Sequence, residues 1–431
     1  MLDIRYIREN PDVVQTVAQQ KGIEVSITDL LALDGKRRAL LQEVEGLRKQ
    51  RNDLSQSIPR LAKDGNQDEV EQIKELVRGI NANLTTQEAL LQDVEQQWST
   101  LLLRVPNIIS PDTPIGASDE ENVELRQIGE LPQFDFAIQD HVTLGETYDL
   151  FDLPRGAKVA GTRQYYLKGI GLYLHRAVQQ LAIDLLTERG FTVMDVPMMV
   201  REDVMTNTGF FPLGREQTYE LGRDNAWLVG TSEVPLVSYH AGEVVDVNQP
   251  IRFAGVSNCF RREAGAAGRD TRGLYRVHQF AKVEQVVICK NDPAVSEAIL
   301  QEITKNAEDL LQLLELPYRV VAVCTGDIGQ GVYKKYDIET WMPSRENYGE
   351  TQSASNLLEF QARRSNIRYR DENGQLQYCH TLNNTAVATP RILIPLLENH
   401  QRADGSIYIP QALRKYLNGL EEIKPGANVF G

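Results

Sequence analysis

Two runs of mainly apolar residues, spaced alternately four and three apart, constrain this chain more than any other feature. The first is Leu33, Arg37, Leu40, Val44, Leu47, Arg51, Leu54 and Ile58; the second is Val70, Ile73, Val77, Ile80, Leu84, Gln87, Leu91, Val94, Trp98 and Leu101. This is the seam of a coiled coil, in which each helix buries a narrow stripe against its partner. Between the runs, Pro59, Gly65 and Asn66 act as breakers, so the helices are expected to fold back as an antiparallel hairpin. At about 1.5 Å of rise per residue, some 30 residues in each helix reach roughly 45 Å, too far to lie wholly on a small core. The hairpin is expected to project as an arm.

Charge divides the two helices. Residues 36–63 hold eight basic side chains against three acidic ones, and residues 64–100 hold eight acidic against two basic. Such a pair suits either a solvated coiled coil whose helices attract each other or a basic stripe for a phosphate backbone, and the arm alone does not decide. The formal net charge of −14 argues against a protein that coats nucleic acid over its whole surface. Residues 106–129, with Pro106, Pro111, Pro114 and the run Asp119, Glu120, Glu121, read as a linker. The N-terminus MLDIRYIREN has no apolar h-region, and no later stretch approaches the roughly 20 apolar residues of a membrane span. A soluble protein is predicted. Cys259, Cys289, Cys324 and Cys379 lie 30 or more residues apart without CxxC spacing, which suits a reducing cytoplasm and excludes a cysteine zinc site.

Past the linker, residues 171–189 place Leu174, Val178, Leu181 and Leu185 at helical spacing and stop at Gly190. Residues 191–196 read as a strand ending at Pro197. Two apolar runs, 251–260 and 277–289, read as antiparallel strands joined by a long mobile loop, AGAAGRDTRGLYR. A last strand-like stretch to Ala388 leads into TPRILIPLLEN, where Pro390 beside Arg391 suits a helix start.

GxxxxGK[ST] and HExxH are absent, and Gly169 with Gly171 lacks the third glycine of a dinucleotide fingerprint. Present instead are Phe260, Arg261, Arg262, Glu263, the loop, then His278, Gln279 and Phe280, with Arg391 far downstream. A guanidinium suits phosphate through its permanent charge and planar fork, and Phe280 can stack on a purine. Each piece alone is ordinary surface charge or core.

In order, the pieces resemble the three motifs of a class II aminoacyl-tRNA synthetase. TSE at 231–233, FRREAGAAGRDTRGLYRVHQF at 260–280, Glu284, ETQSASN at 350–356 and TLNNTAVATPRIL at 381–393 resemble the seryl-tRNA synthetase family of bacterial type, arm included. The resemblance implies an α+β fold: an N-terminal antiparallel helical coiled-coil arm, and a class II synthetase domain built on an antiparallel β-sheet flanked by helices. The expected divisions are a tRNA-binding domain at 1–105, a linker at 106–130 and a catalytic domain at 131–431. The family's motif 3 often has glycines ahead of its arginine; here Thr385, Ala386 and Ala388 stand there.

The implied activity is that of a serine–tRNA ligase: L-serine is activated with ATP to seryl-adenylate and transferred to the terminal adenosine of tRNA(Ser). Whether selenocysteine tRNA is also charged is left open. Arg261 and Arg391 are the implied catalytic pair, for the α-phosphate with the serine carboxylate and for the γ-phosphate. Thr231, Ser232, Glu233, Arg261, Glu284 and Thr385 are implied for serine. The ATP set adds Arg262, Glu263, Val277, Phe280, Glu350, Thr351, Gln352 and Ser353, and Glu350 with Ser353 are implied for Mg²⁺. Lys36, Arg38, Arg48, Lys49, Arg269 and Arg272 are implied tRNA contacts, in a homodimer that binds tRNA across its subunits. Two rivals are an amino-acid ligase loading a carrier protein, against which the long arm counts, and an inactive tRNA-binding scaffold, against which Arg261, Glu263, Glu350 and Arg391 count.

Overall fold

The computed structural model describes residues 1–266, 268 and 270–425. Asp3–Pro106 forms one compact unit, and the chain from Asn107 onward, with Met1–Leu2, forms a second.

The first unit is helical: α1 (Ile4–Glu9), α2 (Pro11–Gln20), α3 (Ile27–Lys63) and α4 (Gln67–Leu102). Ser26 caps α3, its hydroxyl accepting from the Asp29 N–H at 3.1 Å. Arg37 meets Glu95 at 3.6 Å and Arg48 meets Glu88 at 2.8 Å, so numbers fall on α4 as they rise on α3. The pair is antiparallel. Every seam position is buried or half-buried, with Val44, Val70, Leu84 and Val94 closed to solvent. Pro59, expected to break the helix, lies inside α3, and the chain turns only at residues 64–66. The carbonyl it deprives of a donor is that of exposed Ser55, where water can substitute, and the seam rather than each backbone bond holds the helix.

The second unit is built on an eight-stranded sheet. Its elements are β1 (Val123–Ile128), α5 (Gly169–Glu188), β2 (Thr192–Asp195), β3 (Ile251–Phe260), β4 (Gln279–Cys289), α6 (Pro293–Leu313), β5 (Tyr318–Ala322), β6 (Lys334–Met342), β7 (Asn347–Asn356), β8 (His380–Thr389) and α7 (Leu393–Asn399), with shorter pieces between. The order across the sheet is β1-β5-β6-β7-β8-β4-β3-β2, antiparallel throughout except for the β2–β3 pair. Leu174, Val178 and Leu181 of α5 and Ile299, Ile303 and Leu310 of α6 share a core with Val283 and Val287 of β4. Both long helices therefore cover one face.

The segment expected as a linker is tied down along much of its length. The N–H groups of Asn107 and Ser110 donate to the carbonyls of Gln330 and Tyr333, each at 2.9 Å, and β1 pairs with β5. Proline and glycine prevent a helix there but leave an extended backbone whose donors and acceptors another element satisfies. Arg391, expected at a helix start, lies in a turn two residues before α7, and Pro395 occupies that helix's first turn. Among the described residues no helix is long and apolar enough to cross a membrane.

Candidate active site

Unbroken pairing along β3 and β4 preserves strict alternation, so Phe280, Lys282 and Glu284 share the sheet face opposite the long helices. The neighbouring strands are bulged. Opposite β6, Glu350 pairs with Glu339, Gln352 with Ile338 and Ser353 with Asp337; opposite β4, Thr385 pairs with Glu284 and Ala388 with Lys282. One extra residue reverses the alternation beyond it, so Glu350 and Ser353, and likewise Thr385 and Ala388, point the same way although three apart. The small side chains of motif 3 thus have a purpose: Ala386 is the buried extra residue and Ala388 lines the site.

These strands form one wall of an open pocket. At one end the Lys282 ammonium lies 2.5 Å from Glu284 Oε2 and donates to Thr231 Oγ1 at 2.7 Å. The Thr385 hydroxyl donates to the same Glu284 oxygen at 3.2 Å. Lys282 and Glu284 are 5 % and 2 % exposed, a buried ion pair tolerable because its polar atoms are engaged. Beside it, Glu233 Oε1 accepts from Gln361 Nε2 at 2.7 Å and Asn383 Nδ2 at 2.9 Å. Burial, reinforced by the charge of Glu284, pushes the Glu233 carboxyl up to about 7, against the opposing pull of Gln361, Lys282 and Arg261.

At the other end are the arginines. The Arg261 guanidinium covers the Phe280 ring at 5.3 Å. Arg391 lies 4.4 Å over Tyr275, donating from Nε to the Tyr275 carbonyl and from Nη1 to the Glu350 carbonyl, both at 3.0 Å. Burial alone would raise the Glu350 carboxyl, but Lys335, Arg391, Arg261 and Arg276 outweigh it and hold the group below the usual range. Glu263 and Val277 complete this wall.

Of the other expected residues, Thr351 lines the pocket and Ser232, Arg262, Gln352 and Ser353 do not. Ser232 is fully buried and turns its hydroxyl onto the Gly255 carbonyl at 3.4 Å. Arg262 is exposed and outside the pocket lining, with its N–H donated to the Gln217 carbonyl. The Thr351 hydroxyl bonds Gln352 Oε1 at 2.5 Å and pairs with Thr340, while Gln352 Nε2 reaches the Ala386 carbonyl, so both brace the bulged strands. Ser353 faces Asp337, whose carboxylate accepts from Lys335 at 3.0 Å. Carboxylate and hydroxyl on one face suit Mg²⁺ that arrives on phosphates and keeps several waters; among the described residues there is no cluster of three or more His, Cys, Asp or Glu able to hold a metal by itself.

Three described residues of the loop expected to be mobile share one partner. Arg163 donates to the carbonyls of Asp270 (3.1 Å), Arg276 (3.2 Å) and Ala266 (2.8 Å). Arg272 is ion-paired with Asp140, and Arg269 lies outside the described residues. On the arm, Lys36, Arg38 and Lys49 are exposed, whereas Arg48 is paired with Glu88. Sequence reasoning missed Lys282, Gln361, Asn383, Tyr275 and Arg163. For Lys282 a signal was available: a lysine two residues from Glu284 in a largely apolar strand shares its face.

Residues 1–109 match the family described as the seryl-tRNA synthetase N-terminal domain, and residues 218–400 match the tRNA synthetase class II core domain (G, H, P, S and T). The serine–tRNA ligase of Deinococcus radiodurans is 47 % identical over 98 % of this chain and 98 % of its own, and that of Rubrobacter xylanophilus 42 % over 99 % of each. Among solved structures, Pyrococcus horikoshii seryl-tRNA synthetase complexed with ATP superposes with a TM-score of 0.90 at 38 % identity, covering 99 % of this chain and 100 % of that one.

Proposed function

The chain belongs to the seryl-tRNA synthetase family, and from that premise we propose how its own residues carry the reaction. It is a serine–tRNA ligase that uses ATP. One observation supports the residue assignments: a single pocket is lined by Lys282 and Thr385, which hydrogen-bond or ion-pair with buried Glu284 and Thr231 behind them, and by Arg261 and Arg391.

In the first step a serine carboxylate oxygen bonds the α-phosphorus while the bond to the β-phosphate oxygen breaks, releasing pyrophosphate. A carboxylate is already a nucleophile, so no general base is needed, and the protein contributes orientation and charge stabilisation. Arg261, over Phe280, holds the carboxylate and α-phosphate in line, leaving the free face of that ring for adenine. Arg391 holds the γ-phosphate from its Tyr275 seat, and Glu263 and Val277 border the adenine. Glu350 and Ser353 hold Mg²⁺, which when bound neutralises charge on the phosphates. Glu233, ionised, takes the serine ammonium with Thr231.

Glu284 and Thr385 read the serine hydroxyl. Alanine leaves these buried groups unpaired, an arrangement that discriminates by roughly 10⁴ to 10⁵. In the second step a ribose hydroxyl at the tRNA terminus attacks the acyl carbon and AMP departs. Lys36, Arg38 and Lys49 grip the backbone of tRNA(Ser) by shape, since A-form RNA hides its major groove; Arg272 joins once freed from Asp140, and tRNA crosses between the subunits of a homodimer. Four free cysteines suit the cytoplasm. The rival readings, a carrier-protein ligase and an inactive scaffold, have no support. Serine-dependent exchange of labelled pyrophosphate into ATP without tRNA tests the assignment: exchange with serine but not alanine or threonine is expected, and equal exchange with alanine would sink the role given to Glu284 and Thr385.

A further inference from the structure

We propose that His141 is a positioning residue for the ATP end of the pocket, acting with Glu398 through the backbone of Leu274. His141, 6 % exposed, joins parts of the fold that are far apart in sequence. Glu398 has no exposure at all. Its Oε1 accepts from the His141 N–H, the His141 Nδ1 and the Ser344 hydroxyl, each at 2.9 Å, and its Oε2 accepts from the Ser344 N–H at 3.0 Å. On the other side of the ring, the Leu274 N–H donates to His141 Nε2 at 3.2 Å.

These contacts select one tautomer. An N–H from Leu274 requires a lone pair on Nε2, so the proton resides on Nδ1, where the Glu398 carboxylate accepts it. The opposite tautomer would set N–H against N–H on one side and lone pair against carboxylate on the other. Glu398 thereby turns the imidazole into an acceptor aimed at the loop. Gly273 makes the approach possible: its φ is +87°, and a Cβ there would lie 2.1 Å from Nε2.

What the bond holds is the seat of Arg391. The residue after Leu274 is Tyr275, whose ring is met by Arg391 at 4.4 Å and Arg345 at 4.1 Å and whose carbonyl accepts from Arg391 Nε. Arg345 in turn follows Ser344, the other group fastened by Glu398. One carboxylate thus fixes Tyr275 from two directions, through Leu274 and through Arg345. A change at His141 moves the platform under Arg391 and leaves the Lys282–Glu284 end alone. The inference rests on the reading that Arg391 meets the phosphate chain of ATP.

The test is pyrophosphate exchange with ATP and serine titrated separately. His141→Asn keeps a donor near Glu398 but does not reach Leu274, so its KM for ATP is expected to rise about five- to tenfold, the effect of one lost backbone hydrogen bond, with the serine KM within about twofold. His141→Gln places an oxygen near the Nε2 position and is expected to recover most of the loss. Gly273→Ala should raise the ATP KM similarly; in a His141→Ala background the ring it strikes is gone and only the backbone cost of Ala at φ +87° remains, so the two changes together should have less than their additive effect. Equal changes for both substrates, an unchanged ATP KM, or fully additive Gly273 and His141 effects would overturn the proposal. Should the His141 variants not fold, Gly273→Ala in the loop decides alone. Arg391→Ala separates the two claims: if it leaves the ATP dependence unchanged, the phosphate reading fails instead.

Discussion

The arm and the pocket use charge in opposite ways. On the arm, Lys36, Arg38 and Lys49 stand in solvent, where each contributes little and water screens it. In the pocket, Lys282 and Glu284 are closed off from water and share oxygen partners with Thr231 and Thr385. Removing one member of such a set leaves its partner charged and unpaired, which costs far more than the pair contributes. The arm can therefore lose single charges gradually, and the pocket cannot.

Deleting the arm is the widest break between the two. Removal of residues 36–104 is expected to abolish tRNA charging while leaving pyrophosphate exchange within about threefold of the intact chain; a truncated protein that still charges would end the arm's assignment. Lys282→Met follows, with kcat/KM for serine expected to fall about 10²- to 10³-fold and the ATP KM little changed. Adding Glu284→Gln to it should restore thermal stability but not serine use, because the buried charge is gone while the hydroxyl reader is altered. If the double variant melts no higher than Lys282→Met alone, the ion-pair account fails.

A pH series sharpens the pocket side. Glu233 must be ionised to hold the serine ammonium, and burial has raised its carboxyl to about 7, so the serine KM is expected to rise close to tenfold per unit as pH falls below 7. A serine KM flat from pH 8 to 6 would remove Glu233 from that role. The stability effect has the opposite sign: a folded-state pKa above the ordinary 4.5 means this group favours folding at low pH and costs stability as pH rises from 4.5 through 7. The smallest effect belongs to the arm. Lys36→Glu with Arg38→Glu should raise the tRNA KM about tenfold and flatten its salt dependence, whereas Arg48→Ala, already paired with Glu88, should change it less than about threefold.

The same contrast governs what could be read in advance. The hairpin was legible because a heptad seam is local: Val44 and Val94 are buried for reasons visible within ten residues of each. The boundaries of β3, and nearly those of β4, were legible as apolar runs. Pro59 misled because an exposed helix tolerates one missing bond. In the site, Arg261, Glu263, Phe280, Glu284, Thr385 and Arg391 converge on the pocket region, but their placement by resemblance could not separate Thr231 from Ser232, one of which faces Lys282 and the other Gly255.

By itself the sequence determined the periodic elements, the absence of the other nucleotide-binding signatures and the residue types that can hold phosphate, because each depends on neighbours a few positions away. Only the tertiary structure decided which of those residues meet. A one-residue bulge in β7 and another in β8 turn Glu350, Ser353, Thr385 and Ala388 to a common face, and Glu398 reaches His141 across more than 250 residues of chain. Register and long-range hydrogen bonding depend on the whole sheet closing at once, and no local spacing encodes that.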